Sequence, residues 1–297
     1  MRVFACALPA LLLFPVPDAS AARPAPAVAA FPAARIIYTA DTLGFLHPCV
    51  SCGGASQGGL ARRVALLPKL AAETAQPLII AGPDEFYADR ESPAPGHAAR
   101  VAPVLLTAFS RMPYTAIYLS PPAARDLQAH ALATPPNAVA VADAPVTRMF
   151  RAGNLTAACV FLPAGNGAPD QDQVLAAQVA AKEAAKGADI VIGISPWGMR
   201  AENSLAPSFA GYFHIILGGG HGIAVPGQAS GDPATPGPLW VRSDRQGRAC
   251  NVLDIFTAPG TPWLDGVHFT SRLEFLAPDL PEDPAIRELA SDLKDNE

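Results

Sequence analysis

Residues 35–41 read Arg-Ile-Ile-Tyr-Thr-Ala-Asp, a short apolar run that stops on a carboxylate. The figure returns at Leu78-Ile-Ile-Ala-Gly-Pro83, Thr115-Ala-Ile-Tyr-Leu-Ser120, Asp189-Ile-Val-Ile-Gly-Ile-Ser195 and His214-Ile-Ile-Leu-Gly-Gly219. Such runs lack polar alternation, as strands covered on both faces do. Between them the spacing turns helical. Gly59–Glu73 reads as a helix with Pro68 as a candidate kink, and His97–Met112 places Val101, Val104, Leu105 and Phe109 on one face. Asp172–Lys186 is an alanine-rich helix closed by Gly187. Strands alternating with helices argue for an α/β fold.

The remaining segments fit that rhythm. Ala138–Asp143 reads as a strand, and Thr147–Leu162 as a hairpin turned at Gly153-Asn154. Leu239–Asp244 and Ala249–Phe256 read as a second hairpin around Gln246-Gly247. Asp283 and Pro284 open a final helix as N-cap and first residue, with Ile286, Leu289, Ala290 and Leu293 on one side. No internal repeat is present, which excludes a solenoid.

In a chain of 297 residues, 50% are hydrophobic and only 16% charged, enough for a sizeable core. The net charge of −5 gives no electrostatic case for nucleic acid or an anionic membrane. Arg2, the apolar Val3–Val16 stretch and Ala19-Ser20-Ala21 have the form of a signal peptide over residues 1–21, with the mature chain starting at Ala22. The stretch is too short to span a bilayer. A periplasmic or secreted protein without a membrane span is the expectation, with residues 22–34 as an Ala/Pro linker and residues 35–297 as the domain.

The order of these segments resembles the calcineurin-like metallophosphatase domain of bacterial periplasmic 5′-nucleotidases. IIYTADTLGFLHPC is similar to that family's opening strand and D-x-H turn, and GGLARR to its first helix. LIIAGPDEF is similar to the strand ending in A-G-D, GADIVIGISPWG to the strand ending in H-x-G, and IILGGGHGI to the G-H-x-H turn. Tyr114–Leu127 stands where a G-N-H-E loop would be. The resemblance implies two facing mixed β-sheets flanked by helices, and a rim where Asp41, Asp84, Pro121, Trp197 and His221 gather. It also implies that the family's C-terminal specificity domain is absent.

Members of that family hold two divalent metals through those motifs and use them to activate water and neutralise a phosphoryl group. Here Asp41 and His221 remain, and Asp84 lies one place after the A-G-D position, which is Pro83. Leu43, Pro121, Pro196 and Ile223 stand at the other ligand positions the resemblance implies, with Pro122 at the His of G-N-H-E, and none carries a donor. The metal candidates are therefore Asp41, Asp84 and His221, holding at most one divalent ion such as zinc or manganese; no cofactor is assigned. Each has a plainer reading: Asp41 as a turn cap, Asp84 and Glu85 as solvated loop charges, and His221 as a residue of a glycine-rich turn. Arg62 and Arg63 are candidates for an anion clamp, against a solvated helix face for at least one of them.

Cys49-Val-Ser-Cys52 follows Asp41 in the same loop. A C-x-x-C is a redox dithiol, half a zinc site or a small disulfide. Cys159, inside an apolar run, reads as a buried hydrophobe. Three functions stay in view: a catalytically degenerate binding or scaffold protein with a periplasmic protein partner, a hydrolase of phosphate or related esters with a reduced site, and a thiol redox or metal-handling protein.

Overall fold

The computed structural model describes residues 31–50, 56–86, 97–164, 168–231, 236–257 and 262–293. The signal-peptide and most of the linker expectations, and Cys52, lie outside them.

The chain opens with β1 (Ala34–Thr39), the short pair β2 (Pro48–Val50) and β3 (Ser56–Gly58), and α1 (Leu60–Ala72). Then come β4 (Leu78–Ala81), α2 (His97–Arg111), β5 (Ala116–Leu119), α3 (Pro121–Ala129) and β6 (Ala138–Ala140). The second half runs β7 (Val146–Ala152), β8 (Leu155–Phe161), α4 (Gln171–Ala184), β9 (Ile190–Ser195), α5 (Met199–Leu205) and β10 (Ile215–Gly218). It closes with β11 (Val225–Gly231), β12 (Pro236–Arg242), β13 (Ala249–Ile255), β14 (Phe269–Phe275) and α6 (Pro284–Ala290).

The strands form two six-stranded sheets, ordered β14-β13-β1-β4-β5-β6 and β11-β12-β10-β9-β8-β7. Strands β1, β4, β5 and β6 run parallel in the first, and β8, β9, β10 and β12 in the second. Antiparallel pairings of β13 with β1 and β14, of β11 with β12 and of β7 with β8 complete them, so both sheets are mixed.

Every residue of β1 is buried because the strand is covered on both faces. Ile36 and Tyr38 face the second sheet, where they meet Phe161, Ile192, Leu217 and Val241. Ile37 faces the other way, toward Leu67, Leu105 and Phe109 of α1 and α2. A third core sits between the second sheet and α4 and α5, built on Ala177, Ala181, Phe209 and Trp240. The result is four layers, helices–sheet–sheet–helices. Each fully buried Ile, Leu or Phe contributes roughly 1.5–3 kcal/mol from removal of its surface from water.

Local signals explain the helix boundaries. Asp170 and Gln173 form a reciprocal capping box at the start of α4, and the Gly187 N–H reaches the Ala184 carbonyl at its end. Asp283 caps α6 with Pro284 at its first position.

Three expectations are corrected. Strands β12 and β13 are not a hairpin: β12 pairs with β10 and β11, whereas β13 pairs with β1 and β14, so the Asp244–Arg248 connection crosses between the sheets. Leu289 is 49% exposed, and the buried side of α6 is Ile286 and Ala290. The linker ends earlier than residue 34, because Ala34 already belongs to β1 and the Ala33 carbonyl accepts from the Asn154 N–H (2.8 Å).

Candidate functional site at the strand-end rim

In both sheets the parallel strands end on one edge, where α/β proteins gather their sites. Asp41 follows β1 and Asp84 follows β4. Trp197-Gly198 follows β9, and Gly219–His221 follows β10. Backbone bonds lace these ends together. The Asp41 N–H donates to the Pro83 carbonyl (3.0 Å) and the Leu43 N–H to that of Asp84 (2.8 Å). Across the sheets, the Gly220 N–H donates to Asp41 Oδ1 (2.6 Å); within the second sheet, Gly198 N–H donates to the Gly219 carbonyl (3.1 Å). Met199 N–H reaches the His221 carbonyl (2.8 Å). Pro121 opens α3 directly after β5, the parallel neighbour of β4. Asp41, Asp84, Pro121, Trp197 and His221 thus share one rim, as the sequence reading expects.

The survivors differ in environment. Asp41 is 1% exposed and takes a left-handed φ of 56°; its Oδ2 is buried with no hydrogen-bond partner. Burial, then the charge of Asp84, holds its carboxyl well above the usual carboxylate range; Arg242 and the Gly220 N–H oppose that shift. Asp84 is half-buried, with φ 57°, and the His221 side chain is exposed. Among the described residues no three His, Cys, Asp or Glu side chains converge as a metal would require. Cys49 sits half-buried in β2, and the hairpin of β2 and β3 leads directly into α1 on this rim. Cys159 lies buried between the sheets, as expected.

Arg62 and Arg63 are corrected: neither is on a solvated face and neither is available as an anion clamp. Arg62 is 8% exposed and pairs with Glu282 (3.2 Å) while donating to the Ser56, Gly58 and Leu276 carbonyls. Arg63 is 1% exposed and donates to Glu85 (2.9 Å) and Thr42 Oγ1 (2.5 Å). Burial alone would depress Arg63; the adjacent Glu85 carboxylate reverses the sign and raises it. Glu85 is no solvated loop charge either, for it is buried and also accepts from Thr39 Oγ1 (2.5 Å) and Thr42.

A second internal ion pair escapes the sequence reading. Arg242, at the end of β12, is fully buried and donates to Glu202 of α5. Trp240 Nε1 also donates to Glu202 (3.0 Å). Arg242 Nη2 meets the carbonyls of Gly219 (3.1 Å), Gly220 (2.9 Å) and His221 (3.3 Å). The one signal in the sequence is an arginine ending the apolar run Leu-Trp-Val.

No protein-family model and no curated protein sequence matches the chain. Solved structures do. The 5′-nucleotidase precursor of Thermus thermophilus superimposes with TM-score 0.64 at 18% identity, over 87% of this chain and 57% of that one. The calcineurin-like phosphoesterase YfkN of Bacillus subtilis gives 0.61 at 14% identity, over 87% of this chain and 95% of that one. The chain has the calcineurin-like phosphoesterase fold. Sulfate thiohydrolase SoxB of Thermus thermophilus, solved with glycerol, shares this fold with TM-score 0.66 at 14% identity, over 89% of this chain and 61% of that one. The chain therefore spans less than two-thirds of the nucleotidase and of SoxB.

The calcineurin-like phosphoesterase fold implies a two-metal centre on this rim, and the residues present do not fit one. Asp41 Oδ2 is an orphaned acceptor, but Leu43, Pro83, Pro121, Pro196 and Ile223, at the positions the resemblance implies as further ligands, offer no side-chain donor. The Gly219–His221 carbonyls are already taken up by a guanidinium.

Proposed function

We propose that this chain is an exported binding or scaffold protein that keeps a 5′-nucleotidase-like fold without two-metal hydrolysis. The observation carrying the reading is the rim itself: one buried carboxylate, Asp41, faces a backbone turn held by Arg242, with Leu43, Pro83, Pro121, Pro196 and Ile223 at the remaining positions the resemblance implies as ligands. Two cations lowering the pKa of a bound water supply much of the rate in such hydrolases. A rim without their ligands keeps the surface shape and loses that chemistry.

The expected result is no manganese- or zinc-stimulated hydrolysis of 5′-nucleotides, nucleotide sugars or nitrophenyl phosphate above background. A stimulated activity that disappears in both Asp41→Ala and His221→Ala overturns the reading. Export rests on the form of residues 1–21, and no helix among the described residues is long and apolar enough to cross a membrane. N-terminal sequencing of the protein from its host envelope fraction is expected to start at Ala22; an intact Met1 there means an anchor instead.

A further inference from the structure

We infer that the open edge of β7 is a docking site for an extended acidic segment of a partner protein, which joins the second sheet as a further strand. The inference deepens the functional reading above by naming a partner surface, and it uses no residue of the rim.

Among the described residues, β14 and β6 end the first sheet, and β11 and β7 the second. Strands β11 and β14 shelter each other, for a Cβ at Gly227 would lie 2.5 Å from Ser271 Oγ. Strand β6 is only three residues long. Strand β7 runs for seven, Val-Thr-Arg-Met-Phe-Arg-Ala, and pairs with β8 alone. Hydrogen bonds on β8 identify the groups of β7 that are left over. Thr156, opposite Arg151, turns its N–H to Asp189 Oδ2 (2.7 Å) and its carbonyl to the Asp189 N–H (2.9 Å), both away from β7. Arg151 therefore points its own N–H and C=O to the open edge, and Met149 and Thr147 do the same by alternation. No described strand receives them. Such an edge is what strand addition requires, with main-chain bonds supplying affinity and side chains supplying choice.

Charge chooses the occupant. Arg148 and Arg151 are exposed, and among the described residues neither meets a carboxylate. Arg148 donates to the Thr147 carbonyl (3.0 Å), and Arg151 to the Gly153 carbonyl (3.2 Å) and Thr156 Oγ1 (3.1 Å). On β14, by contrast, Arg272 meets Glu274 (3.1 Å) and Glu73 (3.5 Å). Strand β7 contains no acidic residue, although the chain as a whole carries −5. A second copy of β7 would set arginine against arginine across the new pair, which opposes edge-to-edge dimers. An acidic strand reverses that sign. Arg148 and Arg151 stand three apart on opposite faces of the sheet, so the carboxylates that match them are three apart too. Between them, exposed Met149 and half-buried Phe150 offer apolar cross-strand contacts.

Amide hydrogen exchange of the full chain with two capped octapeptides tests this, one with the core Glu-Val-Thr-Glu and one with Lys-Val-Thr-Lys. At millimolar concentration the Glu peptide is expected to slow exchange at Thr147, Met149 and Arg151 by about tenfold, and the Lys peptide to leave it unchanged. Met149→Pro removes an outward N–H and no ladder bond, so it is expected to keep the parent's melting temperature and lose the protection. Arg148→Glu with Arg151→Glu is expected to invert the preference, so that the Lys peptide protects; this keeps the test decisive if the proline variant does not fold. No slowing by the Glu peptide, or equal slowing by both, overturns the inference and leaves the arginines as guards of a bare edge. Protection that rises with protein concentration in the absence of peptide assigns the edge to a second copy and overturns it as well. Metal-stimulated hydrolysis by the parent sinks the functional reading and leaves these exchange results standing, so the two fail separately.

Discussion

Replacing Arg63 by methionine is expected to remove about 3–5 kcal/mol of folding stability, a large part of what a domain of this size has. Arg63 and Glu85 are both at most 1% exposed, and Glu85 accepts from Arg63, Thr39 and Thr42 in one closed cluster with Tyr114. Methionine keeps the length and the apolar stem of the side chain. What it removes is the only full positive charge that the cluster's contacts bring to Glu85, leaving a carboxylate that must either stay desolvated or take up a proton. The double replacement Arg63→Met with Glu85→Leu is expected to recover most of the loss, because charge burial is avoided on both sides. Urea unfolding of the three proteins measures it. A cost below about 1 kcal/mol for Arg63→Met would mean that water reaches the pair.

Arg63 also shows where sequence reading stops. In Gly-Gly-Leu-Ala-Arg-Arg-Val-Ala-Leu-Leu the helix is legible from its apolar spacing, but the destination of the two arginines is not. Burial of a cation depends on a carboxylate on another element, here Glu85 after β4, and single-chain periodicity carries no information on that pairing. The parallel core strands are legible because covered strands have to be apolar throughout. The edge strand β11, Val-Pro-Gly-Gln-Ala-Ser-Gly, has no such obligation and leaves no pattern to read. Helix α3 is hidden although Ser120 and Pro121 form an ordinary helix start, because those residues stand where the family's G-N-H-E loop would be. At the rim, the donor-free residues Leu43, Pro83, Pro121, Pro196 and Ile223 at the positions the resemblance implies as ligands are visible one residue at a time. The buried place of Arg242 is not, since β12 reads in sequence as half of a hairpin.

Asp41→Asn is expected to stabilise the protein at neutral pH, by about 1–2 kcal/mol. The amide oxygen can still accept the Gly220 N–H, and asparagine tolerates the left-handed φ of 56° better than most residues. The substitution removes a carboxylate whose charged form burial disfavours. The sign follows from linkage. A folded-state pKa raised above the ordinary 3.8 means that Asp41's contribution is fully present below that pH and is lost as pH rises through the folded value. The advantage of asparagine should therefore vanish near pH 4 and grow toward neutrality. Denaturation midpoints measured across that range decide it. A destabilised Asp41→Asn protein at neutral pH, in the presence of manganese or zinc but not in chelator, would mean that Asp41 holds a metal after all.

The crossing of Asp244–Arg248 from one sheet to the other has a consequence for the order of folding. Strand β1 needs β13 on its open side, and the Arg35–Asp254 ion pair that fastens them spans 219 residues of chain. As the polypeptide emerges, β1 can pair with β4, yet its other edge stays open until the whole second sheet has been made. The first sheet is therefore begun at the start of synthesis and sealed near its end, which makes for a high contact order and slow closure. Throughout that interval a largely apolar strand presents unpaired backbone to its surroundings, and a nascent chain in this state is a natural client for a holding chaperone.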